Sequence, residues 1–190
     1  MSGEPGYCIC SNRVLFFSEV IMKKESNITI DAIQADPYGY TYKEYAEVFW
    51  EEKARRLFSA LYGRKRDKNF QTLSVKTVYR GTDTDKYLFE LPDGKLIETV
   101  CIKRRDGATV CVSTQVGCPV GCIFCESGRN GFVRNLTPSE IVQQVILIQK
   151  KVTRIVFMGM GEPLFNYDSV IQAIHILRDR NVGKFSPFLS

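Results

Sequence analysis

"TQVGCPVGCIFCES", residues 114–127, places Cys118, Cys122 and Cys125 within eight residues of one another at a C-x3-C-x2-C spacing. Three thiols on one short loop pose a coordination question. Structural zinc takes four nitrogen or sulfur ligands in a tetrahedron, and an ordinary iron–sulfur cluster takes four cysteines. A three-cysteine loop leaves one iron of a [4Fe-4S] cluster without a protein ligand, and an open iron can bind a small molecule directly. A zinc site would need a fourth ligand from elsewhere, with Cys111, Cys101 and His175 as the candidates. Phe124, just before the third cysteine, is expected to act as an apolar wall, since burial helps set a cluster's potential.

Downstream of the loop, "LTPSEIVQQVILIQKK" (136–151) predicts a helix. Thr137 suits the cap, Pro138 the first position, and Glu140 completes a capping box. Ile141, Val145 and Ile148 form its apolar stripe. "RIVFMGMGEP" (154–163) then predicts a buried strand running into a glycine-rich turn, and "YDSVIQAIHILRDR" (167–180) a second helix with Val170, Ile174 and Leu177 on one face. Strand, loop, helix, strand, loop, helix is the order of a parallel α/β layout. Functional groups in such folds collect beyond the C-terminal ends of the strands, where both the cysteine loop and the GMGEP turn fall. In that turn, Gly159 and Gly161 would let backbone approach a ligand, and Glu162 offers a carboxylate to an ammonium group.

Upstream, the pattern has period two. "TLSVKTVYR" (72–80), "KYLFEL" (86–91), "LIETVCI" (96–102) and "ATVCVSTQV" (108–116) are rich in β-branched and aromatic residues. "PDG" (92–94) and "RRDG" (104–107) are hairpin turn signals, so a small antiparallel meander is predicted to feed into the cysteine loop. Before it, "TYKEYAEVFWEEKARRLFSALY" (41–62) carries an apolar stripe at three- and four-residue steps and predicts one helix ending at Gly63. "DPYGY" (36–40) predicts a turn. "VLFFSEVIM" (14–22) is too short for its period to separate strand from helix.

The chain has 190 residues, 44% apolar and 25% charged, which suits a globular protein with a real core. No apolar run approaches the roughly 20 residues of a membrane span, and "MSGEPGYCICSNR" lacks the order of a secretory signal. A cytoplasmic protein without membrane contact is expected. In that reducing compartment seven cysteines do not read as a disulfide framework, and the odd number leaves one unpaired in any scheme. The net charge of +5 favours an anionic partner such as nucleic acid. Lys103, Arg104 and Arg105 on a hairpin turn are the candidate RNA contacts. Arg129 and Arg134 beside the loop would either meet phosphates or brace the fold, and the lone His175 is expected on a helix without a ligand role.

Taken together, "IETVCIKRRDGATVCVSTQVGCPVGCIFC", "NGFVRNLTPSEIVQQV" and "VFMGMGEPL" resemble the radical S-adenosylmethionine superfamily and, within it, the RlmN/Cfr family of RNA adenine-C2 (and C8) methyltransferases. The similarity runs from about residue 86 to about 182. It implies that Cys118, Cys122 and Cys125 hold a [4Fe-4S] cluster, that the open iron takes S-adenosylmethionine, and that Gly161 and Glu162 contact the cofactor's methionine end. It implies Glu98 as proton acceptor and Cys111 as the cysteine that resolves a protein–RNA adduct. The implied substrate is adenosine C2 of 23S rRNA or tRNA. The implied electron donor is a flavodoxin or ferredoxin, acting on a monomer.

The implied fold is α/β: a mainly helical region over 1–70, a β-meander over 71–107, and the first two βα units of a radical-SAM barrel over 108–190. The family's later strands and its methyl-carrying cysteine have no counterpart in "NVGKFSPFLS", so a C-terminally truncated, inactive member is expected. Glu126 stands where the family carries a small residue. A non-catalytic, zinc- or cluster-stabilised RNA-binding module is the alternative reading.

Overall fold

The computed structural model describes residues 28–63, 66–148 and 150–182, together with the backbone of 186–188. The VLFFSEVIM run, Cys8 and Cys10 lie outside the described residues.

The alternating segments form β1 (Ser74–Arg80), β2 (Thr84–Glu90), β3 (Leu96–Arg104) and β4 (Gly107–Cys111), paired antiparallel in sequence order. Gly94 closes the β2–β3 turn at a φ of 78°, a left-handed conformation that glycine adopts without strain. The expected 108–116 strand is not continuous. The chain leaves the sheet after β4 and resumes as β5 (Gln115–Gly117), which pairs antiparallel with β6 (Phe132–Asn135). The reason is polar: Ser113 N–H donates to the Gln144 side chain at 2.8 Å, and Thr114 N–H donates to the Met160 carbonyl at 2.8 Å. Those donors are taken out of the ladder that β-branched neighbours would otherwise extend.

α4 (Pro138–Ile146) follows, with the predicted capping box: Thr137 accepts from Glu140 N–H while the Glu140 carboxylate accepts from Thr137 N–H. β7 (Val152–Val156) then pairs parallel with β4, α5 (Tyr167–Arg178) follows, and β8 (Ser186–Phe188) pairs parallel with β7. Meander and parallel strands therefore make one six-stranded sheet in the order β1-β2-β3-β4-β7-β8. The strand in "NVGKFSPFLS" was not expected. Its signal is three residues long and interrupted by proline, below what period-two reading detects.

Three helices precede the sheet: α1 (Ile30–Ala35), α2 (Tyr42–Val48) and α3 (Glu51–Tyr62). The single helix expected over 41–62 breaks at Phe49 and Trp50, whose ψ angles of 158° and 146° are extended. The stripe shows why. Tyr42, Tyr45, Ala46 and Phe49 keep helical steps, but the next apolar member, Ala54, comes five residues later and out of phase. Breaking the helix lets Phe49 and Ala54 both reach the core while Trp50 stays exposed. Gly63 caps α3 as expected, yet at a φ of −67° and not left-handed.

All helices lie to one side of the sheet. Tyr87, Phe89, Ile97, Thr99, Cys101, Val110 and Ile155 point into that side and are buried. α4 is buried from Ser139 to Ile146 all round, wider than the predicted stripe. It is covered by the sheet through Gln144 and Thr99, and met outwardly by the segment between α3 and β1, where Arg66 donates to the Ile146 carbonyl. α2 docks on α5 where Gln172 donates to the Glu44 carboxylate at 3.0 Å. Among the described residues, no helix covers the opposite face of β1–β4. Lys86 and Tyr79 are exposed there, and Leu88, Glu98, Val100 and Cys111 are half-buried. Among the described residues no helix is long and apolar enough to cross a membrane.

Candidate active site

The open face of the sheet meets the C-terminal ends of β4 and β7. Cys111 closes β4, and its Cα partner on β3 is Val100, so it shares the open face with Val100 and Glu98. Burial pushes the Cys111 thiol up from its ordinary value, partly offset by a hydrogen bond to the Met158 backbone. The group therefore rests as a thiol. Glu98 is held by Lys86, whose Nζ lies 2.9 Å from Glu98 Oε1, and Lys86 in turn has its pKa raised by that hydrogen bond. The Glu98 carbonyl accepts from Ser113 Oγ at 2.6 Å.

Ser113 Oγ also accepts from Met160 N–H at 2.9 Å, which ties the GMGEP turn to β3. Gln144, fully buried, completes the junction: its Oε1 accepts from Thr99 Oγ1 and Ser113 N–H, and its Nε2 donates to the Ser113 and Glu140 carbonyls. Gln115 Oε1 accepts from Glu162 N–H at 2.9 Å, and Gln115 Nε2 donates to Asn135 Oδ1 at 2.8 Å. Asn166 donates to the Thr114 and Leu136 carbonyls. Buried amides that bond on several sides, Gln144 with both lone pairs and both N–H groups used, fix backbone position tightly. None of these residues was singled out from sequence. The available signal was polar pairs inside apolar runs, "STQ" before a glycine and "QQ" within an otherwise apolar helix.

The glycines of the turn are needed by the packing of the chain itself. A Cβ on Gly159 would lie 2.7 Å from the Val112 carbonyl, and one on Gly161, at a φ of 98°, 2.6 Å from Gln115 Cβ. Gly159 thus admits the Val112 carbonyl, and Gly161 the Gln115 side chain. The Glu162 carboxylate accepts from Leu164 N–H at 3.1 Å and starts the short 3-10 turn Pro163–Asn166.

Cys118, Cys122 and Cys125 follow β5 on one exposed loop, all as free thiols. The loop turns at Gly117 and Gly121, with φ of 75° and 66°, and closes where Cys118 N–H donates to the Gly131 carbonyl. Phe124 is 89% exposed and so is not the wall expected. Glu126 points outward and pairs with Arg129 at 3.1 Å. In number and softness three reduced thiols fit an iron–sulfur cluster with one open iron. Among the described residues no three histidine, cysteine, aspartate or glutamate side chains are gathered as for a metal ion. Of the candidate fourth ligands for zinc, Cys101 is fully buried on the helical face of the sheet, His175 is exposed on α5, and Cys111 lies half-buried on the open face.

The candidate RNA contacts divide between paired and exposed side chains. Arg134 forms a bidentate pair with Glu140 and a third contact with Asp93, all at 2.8 Å, so it braces the hairpin against α4. Lys103 donates to the Gly81 carbonyl at 2.6 Å and lies 2.9 Å from buried Asp85. Arg104 and Arg105 are exposed, at the end of the sheet opposite the cysteine loop.

This combination of a parallel α/β unit with a C-x3-C-x2-C loop after its first strand defines a class. Residues 112–188 match the model of the radical SAM superfamily. It resembles a crystal structure of a radical SAM methyltransferase from Sphaerobacter thermophilus, with a TM-score of 0.67 and 31% identity, over 79% of this chain and 55% of that one. Within the superfamily its relatives are RNA methyltransferases. It is 50% identical over 119 residues to a probable dual-specificity RNA methyltransferase RlmN of Thermotoga maritima, and 48% identical over 143 residues to a probable RNA methyltransferase of Rhodopseudomonas palustris. Those matches cover 60% and 74% of this chain but 35% and 39% of the relatives, so the matched segment spans little more than a third of their length.

Proposed function

We propose that this chain is the cluster- and cofactor-binding part of an RNA adenine methyltransferase of the RlmN kind, acting at adenosine C2 of 23S rRNA or tRNA. One observation carries the reading: Glu98 and Cys111 share an uncovered sheet face that ends at the loop of Cys118, Cys122 and Cys125.

Those three thiolates would hold a [4Fe-4S] cluster. When bound, the cluster with S-adenosylmethionine supplies one-electron cleavage of the sulfonium, chemistry that belongs to the cofactor. The chain's own residues orient and move protons. Gly161 and Glu162 sit in the turn held to β5 by Gln115, at the position from which a cofactor's amino-acid end would be contacted. Glu98 would accept a proton from the adenine carbon at a carboxylate oxygen that Lys86 already fixes. Cys111, kept protonated by burial, stays unreactive until substrate displaces its surroundings, since the thiolate is the nucleophile.

Anaerobic reconstitution of this chain with iron and sulfide tests the reading. Iron and labile sulfide near four each per chain are expected, with an electron paramagnetic resonance signal of the reduced cluster that changes on adding S-adenosylmethionine. Cys122→Ala should lose the cluster. Stoichiometric zinc without iron uptake, or a cluster signal indifferent to the cofactor, would sink the reading.

A further inference from the structure

The register of the sheet carries one row of side chains straight across the open face. Tyr79 pairs with Lys86, Lys86 with Val100, and Val100 with Cys111. Tyr79 and Cys111 are therefore three strand spacings apart, on the order of 14 Å. Tyr79 stands on the edge strand with its ring 58% exposed. Lys86 Nζ lies 5.5 Å from the centroid of that ring and 2.9 Å from Glu98 Oε1. A large aromatic surface is left uncovered at the edge of the sheet, on a strand with no buried residue.

The charge around that ring is one-sided along β1. The strand carries Lys76 and Arg80 and no carboxylate; Lys76, through Glu90, lies on the side of Tyr79, whereas Arg80 is in register with buried Asp85 and faces the other side. Lys76 reaches Glu90 at 3.3 Å and Arg80 reaches Asp85 at 3.5 Å, but both cations remain about half or more exposed. An exposed aromatic ring beside the exposed cations Lys86 and Lys76 matches a flexible polyanion with stacking groups. Single-stranded nucleic acids are bound in this way, bases on aromatic rings and phosphates on cations.

Resting on the function proposed above, we propose that Tyr79 and Lys86 form a nucleotide subsite for the RNA strand. An unpaired base next to the target stacks on the Tyr79 ring, and Lys86 reaches the intervening phosphate. The strand would then run along the row toward Cys111 and Glu98. The row thus holds the neighbour of the target nucleotide, while Glu98 and Cys111 face the target itself. A sequence-tolerant contact is expected, because every base offers a π-face.

The test is binding of this chain to a short single-stranded RNA containing adenosine flanked by 2-aminopurine, read by anisotropy and by quenching of the 2-aminopurine. Tyr79→Leu should weaken binding about tenfold and abolish the quenching, while Tyr79→Phe retains both. Lys86→Met should weaken binding and make the salt dependence shallower by about one phosphate contact. The far-ultraviolet circular dichroism and melting temperature of each variant check that the fold is kept. Tyr79→Leu binding like the wild type, Tyr79→Phe losing as much as Tyr79→Leu, or no RNA binding by the chain, would each overturn the subsite. None of these readouts needs the cluster, so failure here is separate from failure of reconstitution.

Discussion

At the scale of single residues, the site is defined by where side chains are missing as much as by where they are present. Gly161 adopts a φ of 98°, and its neighbour across the turn is Gln115. Gly161→Ala would combine an unfavourable backbone conformation with a Cβ 2.6 Å from Gln115 Cβ. A loss of about 1–3 kcal/mol in urea unfolding is expected, together with displacement of the Gln115 bond to Glu162 N–H, visible as a shift of the Glu162 amide resonance. If the variant is as stable as the parent, with that resonance unmoved, the turn is not held as described. The sequence announced these glycines as a ligand cradle, because GMGEP sits one βα unit after the cysteine loop. Their packing partners are 46–47 residues earlier in the chain, and no local pattern encodes such a contact.

Among the elements, two share one device. Thr41–Glu44 and Thr137–Glu140 are capping boxes at the starts of α2 and α4. In each, one hydroxyl and one carboxylate satisfy donors that helix geometry leaves unpaired. Thr41→Ala and Thr137→Ala should each cost about 1 kcal/mol in thermal or urea unfolding, and the double variant about the sum, since the sites share no partner. A Thr137→Ala protein as stable as its parent would contradict the geometry at α4. Capping was legible because it is written in four consecutive residues. So were the hairpin turns, through Gly94 and Gly107, and the order of α4, β7 and α5. Less legible were the features decided by distant partners. The break at Phe49 and Trp50 follows from the core needing both Phe49 and Ala54. The break between β4 and β5 follows from Gln144, on a helix about 30 residues later, capturing Ser113. The three cysteines, Glu98 and Cys111 were legible as a motif. Lys86 and Tyr79, which reach the open face only through strand register, were not.

Across the whole molecule, the meander and the parallel strands act as one sheet, and a buried charge joins their ends. Asp85 on β2 is fully buried and meets Arg80 of β1, Lys103 of β3 and Lys150, which lies between α4 and β7. Hydrogen bonds from Lys150 and Lys103 hold its carboxyl down, from 3.8 to about 2. The sign follows from that depression. A carboxylate easier to ionise in the folded state stabilises fully above the unfolded value, and the contribution fades as pH falls through the folded one. Asp85 should therefore stabilise the chain above about pH 4 and lose its effect between there and about pH 2. Asp85→Asn keeps the shape but leaves Lys103, Lys150 and Arg80 facing one another without the charge that balances them. Removing one partner of a buried ionic group costs on the order of 3 kcal/mol. The variant should be less stable than the parent at pH 7 by that order, and its stability should vary less between pH 4 and 2, so that the two curves converge in acid. Urea unfolding at a series of pH values measures this directly. Curves that run parallel down to pH 2 would mean that the charge of Asp85 does not join the strands, and that the two parts of the sheet are held by apolar packing alone.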